Sequence, residues 1–252
     1  MTTSEINQNT KFVFLTPAYN CKEEIKKTLF SFFAQSYDNW RAIVIDDVST
    51  DGTGEYVKKL SKQCGFSERV TVVTRTEKYG ETRNTVTEME NIEDDEVVCR
   101  VDGGDWLTEN DCLQTLNMVY NLHKPSVVWT NQRWSYTAQN ISGPLKLSGN
   151  MTVYDHPWVS SHMKTFRAEK LKRVPKQNFF DKDGNWIMIA CDQAVFLPMM
   201  HMSLLMGEKL VHLPITCYHY NINLEKEDLF TCERSLNQRD SALWIRSRGF
   251  LH

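Results

Sequence analysis

The first half of the chain alternates short apolar runs with amphipathic segments, and no other feature restricts the possible folds as strongly. The runs are rich in strand-forming residues, and in the segments between them apolar residues recur at helical spacing. The five apolar runs are residues 12–16, 42–45, 70–74, 97–101 and 127–130. The four intervening segments are residues 22–33, 53–62, 82–90 and 111–122. This order predicts an α/β fold with a mainly parallel sheet and helices on both faces, because parallel neighbours need a crossover connection.

The composition agrees with one globular domain. The chain has 252 residues, of which 41% are hydrophobic and 24% are charged, so it can bury a large core. No apolar run approaches the roughly 18 residues that span a bilayer, and the polar N-terminal stretch has no apolar signal-peptide segment. The seven cysteines are scattered without a C-x-x-C pair, which argues against a disulfide framework or structural zinc. We therefore expect a cytoplasmic protein with no transmembrane segment.

The net charge of −3 conceals two halves of opposite sign. Residues 1–126 carry 14 Lys and Arg against 21 Asp and Glu, whereas residues 127–252 carry 15 against 11. The acidic half contains most of the β-α alternation, and the basic half is less regular and holds five of the seven tryptophans. We expect a single domain over residues 1–252 whose two halves bind different partners.

The strongest local signal is an acidic turn after the second predicted strand, with the sequence DDVSTDGT at residues 46–53. A buried strand that ends in two carboxylates is costly unless something binds them. Ser49 and Asp51 are equally well explained as caps of the next helix. A single cap does not need both Asp46 and Asp47, so the pair is predicted to accept hydrogen bonds from a base or a ribose.

A second acidic turn follows the fourth predicted strand, where Asp102 and Asp105 flank Gly103 and Gly104. Glycines let the backbone approach a ligand closely. Aspartate oxygens are hard ligands suited to Mg²⁺ or Mn²⁺, and these ions bridge diphosphates. A D-x-x-D alone is more often a plain turn, but its position at the carboxyl end of a predicted strand favours a ligand site.

Five short motifs occur in a fixed order over about residues 11–110. They are PAYN at 17–20, QSY at 35–37, DDVSTDGT at 46–53, YGETRN at 79–84 and DGGD at 102–105. In this order they resemble the family 2 glycosyltransferases of the GT-A fold, since YGETRN looks like the family's G-x-x-x-R-N segment and DGGD like its Asp-rich metal-binding motif. The resemblance implies a GT-A-type, Rossmann-like sheet in a donor-binding half at about residues 11–126. Residues 127–252 would form an irregular acceptor-binding half.

The resemblance also implies a nucleotide-sugar donor, with a UDP-sugar as the first expectation. Asp47 would face the base with Asp46 beside it, and the guanidinium of Arg83 would lie near the nucleotide. The implied donor-binding residues are Thr16, Pro17, Ala18, Tyr19, Asp46, Asp47, Arg83, Asp102 and Gly103.

A divalent metal, Mn²⁺ or Mg²⁺, is implied on the donor diphosphate and would be held by Asp105. The family usually has a further carboxylate where this chain has Gly104, so Asp102 is expected to contact either the ribose or the metal. Many relatives carry a late metal-binding histidine. In the matching segment YHYN, Asn221 takes that position and His219, two residues earlier, is the candidate ligand. A structural histidine on a strand is an equally good interpretation of His219.

Asp192 is the candidate catalytic base, because Cys191-Asp192-Gln193 stands where the family commonly has an acidic pair whose aspartate has that role. It would take the proton from the acceptor hydroxyl as that oxygen attacks the anomeric carbon, with inversion of configuration. The alternative interpretation is a helix cap before the apolar run at 194–200.

The motifs say least about the acceptor. A cell-envelope saccharide is the family's commonest acceptor and is expected first. A hydroxymethylated DNA base is the alternative, and it depends on the basic second half, although a basic run of this kind is usually a solvated helix face. A non-catalytic nucleotide- or glycan-binding domain is a further alternative that Gly104 favours. The densest basic run comprises Lys164, Arg167, Lys170, Lys172, Arg173 and Lys176.

Overall fold

An eight-stranded sheet forms the centre of the protein, in a computed structural model that describes residues 9–135, 137–221 and 233–252. The strands are β1 (Phe12–Ala18), β2 (Trp40–Asp46), β3 (Val70–Thr74), β4 (Val97–Arg100), β5 (Trp106–Leu107), β6 (Val127–Trp134), β7 (Lys164–Arg167) and β8 (Leu210–Tyr220). Their order is β3-β2-β1-β4-β7-β6-β8-β5. Neighbours among β1–β4 are parallel, as are β6 and β8, whereas β7 and β5 run antiparallel to their neighbours. The predicted mainly parallel sheet is confirmed.

Helices cover both faces of this sheet. They are α1 (Ile25–Phe33), α2 (Thr53–Gln63), α3 (Gly80–Glu88), α4 (Cys112–His123), α5 (Ala168–Lys172), α6 (Cys191–Leu205) and α7 (Glu233–Arg248). Leu29 of α1, Val57 of α2 and Leu116 of α4 are buried in the core on one face. Phe196 of α6 and Ile245 of α7 are buried in the core on the other face. None of the helices in the described ranges is long and apolar enough to cross a membrane.

The central strand β1 is buried on both faces, which explains its unbroken apolar sequence. Phe12 and Phe14 belong to the core under α1, where the Phe14 ring stacks on Phe32 with 3.9 Å between centroids. Val13 and Leu15 belong to the opposite core. Because both faces hold the strand, the carboxyl end of β1 is fixed at the edge where β2 and β4 also end.

The five predicted strands and four predicted helices of the β-α alternation are all present. The largest differences are at the start of α1, which begins at Ile25, and at the end of β6, which continues to Trp134. The residues before α1 form a turn because their N–H groups bind the first acidic turn. Cys21 N–H donates to Thr53 Oγ1 at 3.1 Å, and Lys22 N–H donates to Asp51 Oδ2 at 3.0 Å.

The basic run at residues 164–176 is only in part the solvated helix face that the sequence predicts: Lys172, Arg173 and Lys176 are exposed, but the start of the run is not. Lys164 begins β7 and is fully buried, and the run then continues through α5. The more exposed cations pair with acidic neighbours: Lys170 with Glu169 and Glu208, Lys172 with Asp94, and Arg173 with Glu169 and Glu208. These ion pairs neutralise much of the positive charge of the run.

Candidate active site

The carboxyl ends of β1, β2 and β4 border an open cleft of about 500 Å³. This is the edge at which a mainly parallel sheet binds ligands. Seven predicted donor-site and metal-site residues line the cleft: Pro17, Ala18, Tyr19, Asp47, Asp102, Gly103 and Asp105. Residues from other segments complete the lining: Lys78, Gly80, Glu81, Met188, Tyr220 and Asn221. The structure therefore brings most of the predicted residues together.

Asp46 is turned away from this cleft and holds the first acidic turn together. Its Oδ1 accepts the N–H of Ser49 at 2.9 Å, and its Oδ2 accepts the N–H of Gly54 at 3.0 Å. Gly54 packs so closely on this carboxylate that a Cβ would collide with Oδ2. Asp46 thus anchors the turn to the start of α2, as in the capping interpretation of this segment.

Asp47, by contrast, lines the cleft as an ionised carboxylate. Its two oxygens accept the N–H groups of Tyr79 at 2.9 Å and Gly80 at 3.0 Å, and Lys78 Nζ lies 3.4 Å from Oδ2. Burial alone would raise the pKa of Asp47, but these hydrogen bonds and the charge of Lys78 hold that pKa below its usual value. The ammonium of Lys78 also lies over the exposed ring of Tyr19. A carboxylate beside an exposed aromatic ring can bind a flat, N–H-bearing heterocycle.

Gly103 and Gly104 bring the second acidic turn into contact with β1. The N–H of Gly103 donates to the carbonyl of Pro17 at 2.9 Å, and a Cβ on Gly103 would lie 3.0 Å from both that oxygen and the Ala18 Cβ. Gly104 has a φ of +110°, which residues with a side chain rarely adopt. The further carboxylate that is usual in the family would therefore require a different backbone at Gly104.

Replacing Gly103 by alanine is expected to lower the free energy of unfolding by about 1–3 kcal/mol, because the new methyl group meets backbone that cannot move freely. Gly143 is a matched control, since a Cβ there would lie 4.0 Å from the nearest side-chain atoms, those of Val159. Gly143→Ala is expected to change stability little or to raise it slightly. Urea denaturation of both variants measures the difference, and equal stability of the two would contradict the contact at Gly103.

Asp105 is a buried carboxylate of the cleft, with 6% of its surface exposed. The hydroxyl of Tyr218 donates to Oδ2 at 2.7 Å, and the N–H of Asn221 donates to Oδ1 at 2.8 Å. Burial and the neighbouring charge of Asp102 raise the pKa of Asp105 well above its usual value. Two like charges in this turn repel each other, and a cation would relieve that repulsion.

Asp102 and Asp105 fit a divalent cation that is shared with a bound diphosphate. Among the described residues, no cluster of three or more His, Cys, Asp and Glu side chains forms a complete metal cage. Mg²⁺ is usually held by one or two carboxylates together with substrate phosphates and water. The acidic pair supplies that number of carboxylates, and its hard oxygen donors suit Mg²⁺ or Mn²⁺.

Arg100 and Glu81 are site residues that the sequence reasoning missed. Arg100 is buried at the end of β4, where its guanidinium pairs with Glu81 and lies 3.1 Å from the Asp102 carboxylate. Burial and the charge of Asp102 raise the pKa of Glu81 to about 7. The sequence did contain a signal for this pair, because Arg100 lies in the apolar run at residues 97–101. A cation in a strand that is buried needs carboxylate partners. Arg100 thus holds Asp102 at the edge of the cleft.

Two further predicted donor residues lie outside the cleft lining. Thr16 is fully buried in β1. The guanidinium of Arg83 stacks on the ring of Tyr79, 3.4 Å from its centroid, and pairs with Glu77 at 3.1 Å. Arg83 can therefore support Tyr79, whose N–H binds Asp47, but it does not border the cleft.

His219 also lies outside the cleft, although its strand neighbours border the site. Its Nδ1 accepts the Nε–H of Arg133 at 3.2 Å, and its Nε2 lies 2.9 Å from the Ser135 hydroxyl. The imidazole stacks on Trp106 with 4.0 Å between centroids. Because side chains alternate along β8, His219 faces away from Tyr218, which contacts Asp105. These contacts agree with the structural interpretation of His219.

A second cavity of about 300 Å³ lies beside the first and contains Asp192. Its walls include Trp134, Trp158 and Tyr220, with the amides of Gln132 and Gln193 among its polar groups. Tyr220 lines both cavities, so the two adjoin at this residue. A molecule in the aromatic cavity would thus lie next to one bound in the acidic cleft.

Asp192 lies in the first turn of α6, but it does not cap that helix. The N-cap residue is Ala190, and no side chain caps the helix, so the cap interpretation is wrong. The Lys164 ammonium lies 2.6 Å from Asp192 Oδ1, and His162 Nε2 lies 3.5 Å from Oδ2. Burial alone would raise the pKa of Asp192, but the charge of Lys164 holds it well below its usual value, and His162 lowers it further only at acid pH, where the imidazole is protonated. Burial and Lys164 lower the pKa of His162 to about 4, so a neutral imidazole stands beside an ionised carboxylate.

Comparisons with known proteins identify the family of the chain. The profile of the family described as "Glycosyl transferase family 2" matches residues 13–192. The putative teichuronic acid biosynthesis glycosyltransferase TuaG of Bacillus subtilis (strain 168) is 38% identical over 66 residues, which cover 26% of this chain and 25% of that protein. The matched regions span 25% or less of the length of the curated relatives.

Solved structures show the same fold. The crystal structure of S. aureus TarS 1-349 in complex with UDP-GlcNAc has a TM-score of 0.65 at 16% identity, over 94% of this chain and 65% of that one. The mannosyltransferase PcManGT from Pyrobaculum calidifontis, in complex with GDP-Man and Mn²⁺, has a TM-score of 0.61 at 16% identity, over 88% and 59% of the two chains. At these identities the likeness shows the fold alone.

Proposed function

Because the chain belongs to glycosyl transferase family 2, we propose that it transfers a sugar from a nucleotide-sugar donor to an acceptor hydroxyl. The observation that carries the proposal is the meeting of two cavities at Tyr220. One cavity contains the acidic pair Asp102 and Asp105, and the other contains the ionised Asp192. A donor and an acceptor need adjoining sites of these two kinds, because the transferred sugar must reach both.

In this proposal the nucleotide occupies the acidic cleft. Asp47 accepts a hydrogen bond from the base, and Pro17, Ala18 and Tyr19 form the wall against which the nucleotide packs. The TarS structure that shares this fold holds UDP-GlcNAc, which supports a UDP-sugar as the donor. Asp46 and Arg83 contribute indirectly. Asp46 holds Ser49 in the turn after Asp47, and Arg83 stacks on Tyr79, whose N–H binds Asp47.

Asp102 and Asp105 would hold Mn²⁺ or Mg²⁺ on the donor diphosphate. Such an ion neutralises the charge that develops on the departing nucleoside diphosphate. Tyr218 and Asn221 orient the Asp105 carboxylate by their hydrogen bonds, and Arg100 orients Asp102. PcManGT, which shares the fold, holds Mn²⁺ together with GDP-Man, and this supports a metal in the same role.

Asp192 acts as the general base. A carboxylate that is ionised at neutral pH can take the proton from the acceptor hydroxyl while the hydroxyl oxygen attacks the anomeric carbon. The attack comes from the side of the second cavity, opposite the departing diphosphate, so the configuration at that carbon is inverted. His162 stands beside Asp192 as a neutral ring and adds no competing positive charge.

The acceptor in this proposal is a saccharide of the cell envelope. Aromatic walls with a few amides, one carboxylate and one guanidinium, that of Arg239, are suited to the apolar faces and hydroxyl groups of a sugar ring. The name of TuaG, a teichuronic acid biosynthesis enzyme, supports the same substrate class. DNA would need free cations for its phosphates, and Lys170, Lys172 and Arg173 instead pair with carboxylates of the protein.

Release of nucleoside diphosphate tests the proposed activity. Purified protein incubated with Mn²⁺ and UDP-GlcNAc, and then with other UDP- and GDP-sugars, is expected to release the nucleotide from at least one donor, with water taking the sugar where no acceptor is supplied. Removal of the metal by EDTA is expected to stop that release, because the acidic pair lacks its counter-charge. Tight binding of UDP without release from any donor would contradict catalysis and favour a nucleotide-binding domain.

A further inference from the structure

Lys164 is a cation buried in the sheet beside the candidate base. It begins β7, pairs in register with Arg100 of β4, and has no exposed surface. Its ammonium lies 5.2 Å from the ring centroid of Phe196 and 5.8 Å from that of Trp158. A buried ammonium is costly unless a carboxylate pairs with it. Among the described residues, Asp192 is the carboxylate in direct contact, 2.6 Å away.

The two carboxylate oxygens of Asp192 have different surroundings. Oδ1 faces Lys164 and is fully enclosed, without the orientation that a hydrogen bond requires, so the contact is an ion pair. Asp192 nevertheless has 27% of its side chain exposed and lines the aromatic cavity. Since Oδ1 is inaccessible, Oδ2 is the oxygen that a molecule in that cavity can reach.

We propose that Lys164 is a positioning residue, which fixes Asp192 so that Oδ2 faces the acceptor and the carboxylate is ionised before each turnover. This inference rests on the proposed function, in which Asp192 is the base. In the transfer step Oδ2 takes the acceptor proton and the hydroxyl oxygen bonds to the anomeric carbon. The bond to the diphosphate oxygen breaks, and its electron pair leaves with the nucleotide. Lys164 keeps its proton throughout, and Asp192 then returns its proton to water.

Other titratable groups surround Asp192 besides Lys164. They come from several elements and include His162 before β7, Arg100 of β4, Glu81 of α3, Cys191 of α6 and Asp105 after β4. Within 4.0 Å of Asp192 the described partners are Lys164 and His162, and burial keeps the imidazole neutral at pH 7. Removing the ammonium should therefore alter the Asp192 titration more than any other single change.

A carboxyl titration tests the inference without any donor. In protein with ¹³C-labelled aspartate, the Asp192 resonance is identified by its loss in Asp192→Asn. The wild-type resonance is expected to show no titration above about pH 4, below which an ordinary Asp carboxyl protonates. In Lys164→Met the titration midpoint is expected to rise by about 1–3 pH units. Lys164→Arg, which keeps the charge, should titrate as the wild type does, and an unchanged midpoint in Lys164→Met overturns the inference.

Loss of stability must be separated from loss of the charge. Phe166→Leu alters a fully buried neighbour in the same strand and is expected to lower stability without moving the Asp192 midpoint. If Lys164→Met does not fold, the double variant Lys164→Met/Asp192→Asn removes both members of the pair and is expected to fold again. If the double variant also fails to fold, the defect of Lys164→Met does not come from the unpaired Asp192, and the inference that Lys164 positions Asp192 is discarded.

Turnover separates this inference from the proposed function. Lys164→Met is expected to lower kcat for UDP release at least 10-fold, with the donor KM little changed, and to move the acid limb of the pH profile upward. The double variant should be no slower than Asp192→Asn alone, because the two residues act as one unit. A wild-type protein that releases no nucleotide contradicts the proposed function. A wild-type-like Lys164→Met beside an inactive Asp192→Asn contradicts only the role of Lys164.

Discussion

Asp192→Asn is expected to lower the rate of sugar transfer by about 10²–10⁴-fold, the range that a general base contributes. Asparagine has the same shape but cannot take a proton from the acceptor hydroxyl. The KM for the donor should stay close to that of the wild type, because Asp192 lines the aromatic cavity and not the acidic cleft. Single-turnover measurement of UDP release, with donor affinity measured by calorimetry, checks both expectations.

The substitution also removes the partner of Lys164, so some loss of stability accompanies the loss of activity. Asp240→Asn is a matched control, because Asp240 is an exposed carboxylate of α7 and its replacement should change neither rate nor stability. Should Asp192→Asn turn over within a few-fold of the wild type while folded, another group takes the proton. Glu81 would then be the next candidate, since its pKa is raised to about 7 in the neighbouring cleft.

The sheet could be predicted from the sequence because each of its strands in the β-α alternation is marked by residues that are neighbours in the chain. Each strand of the β-α alternation is a short apolar run, and burial on both faces of a parallel strand requires such a run. The acidic turns were predictable for the same reason: Asp47 follows β2 directly, and Asp102 and Asp105 lie in the turn after β4, at the edge where both strands end. In these segments a few neighbouring residues determine both the element and its position.

The ion pair between Lys164 and Asp192 could not be predicted, because it joins segments that are distant in the chain. Lys164 looked like one more charge of a solvated run, and only its pairing with β4 and β6 buries it. The contact between Lys164 and α6 follows from that register, which the sequence does not display. Burial of a lysine inside a strand depends on tertiary structure and not on local pattern.

Arg83 and His219 show the limit of transferring roles by motif. The guanidinium of Arg83 binds Glu77 and the ring of Tyr79, whereas Arg100, at the end of β4, contacts Asp102. In β8 the alternation of side chains gives the site Tyr218 and turns His219 toward Trp106. A shift of one residue reverses such an assignment, and only the strand register decides it.

Asp105→Asn is expected to remove metal-stimulated turnover, with a loss of about 10²-fold or more, since it deletes one of the two carboxylates available to the ion. The neutral amide still fits the pocket, because its oxygen can accept the N–H of Asn221 and its NH₂ group can donate to the hydroxyl of Tyr218. Mn²⁺ affinity in the presence of UDP, followed by electron paramagnetic resonance, should fall in parallel with the rate.

Glu109→Gln serves as the control for Asp105→Asn, because Glu109 is an exposed carboxylate in the segment after β5 and should affect neither metal nor rate. Thermal melting of the two variants separates metal loss from misfolding. Unchanged Mn²⁺ affinity in a folded Asp105→Asn protein would contradict the metal site, because Asp102 alone, paired with Arg100, has little charge left for a cation. A parallel loss of affinity and rate, with the fold intact, would instead require the two carboxylates to bind the ion together.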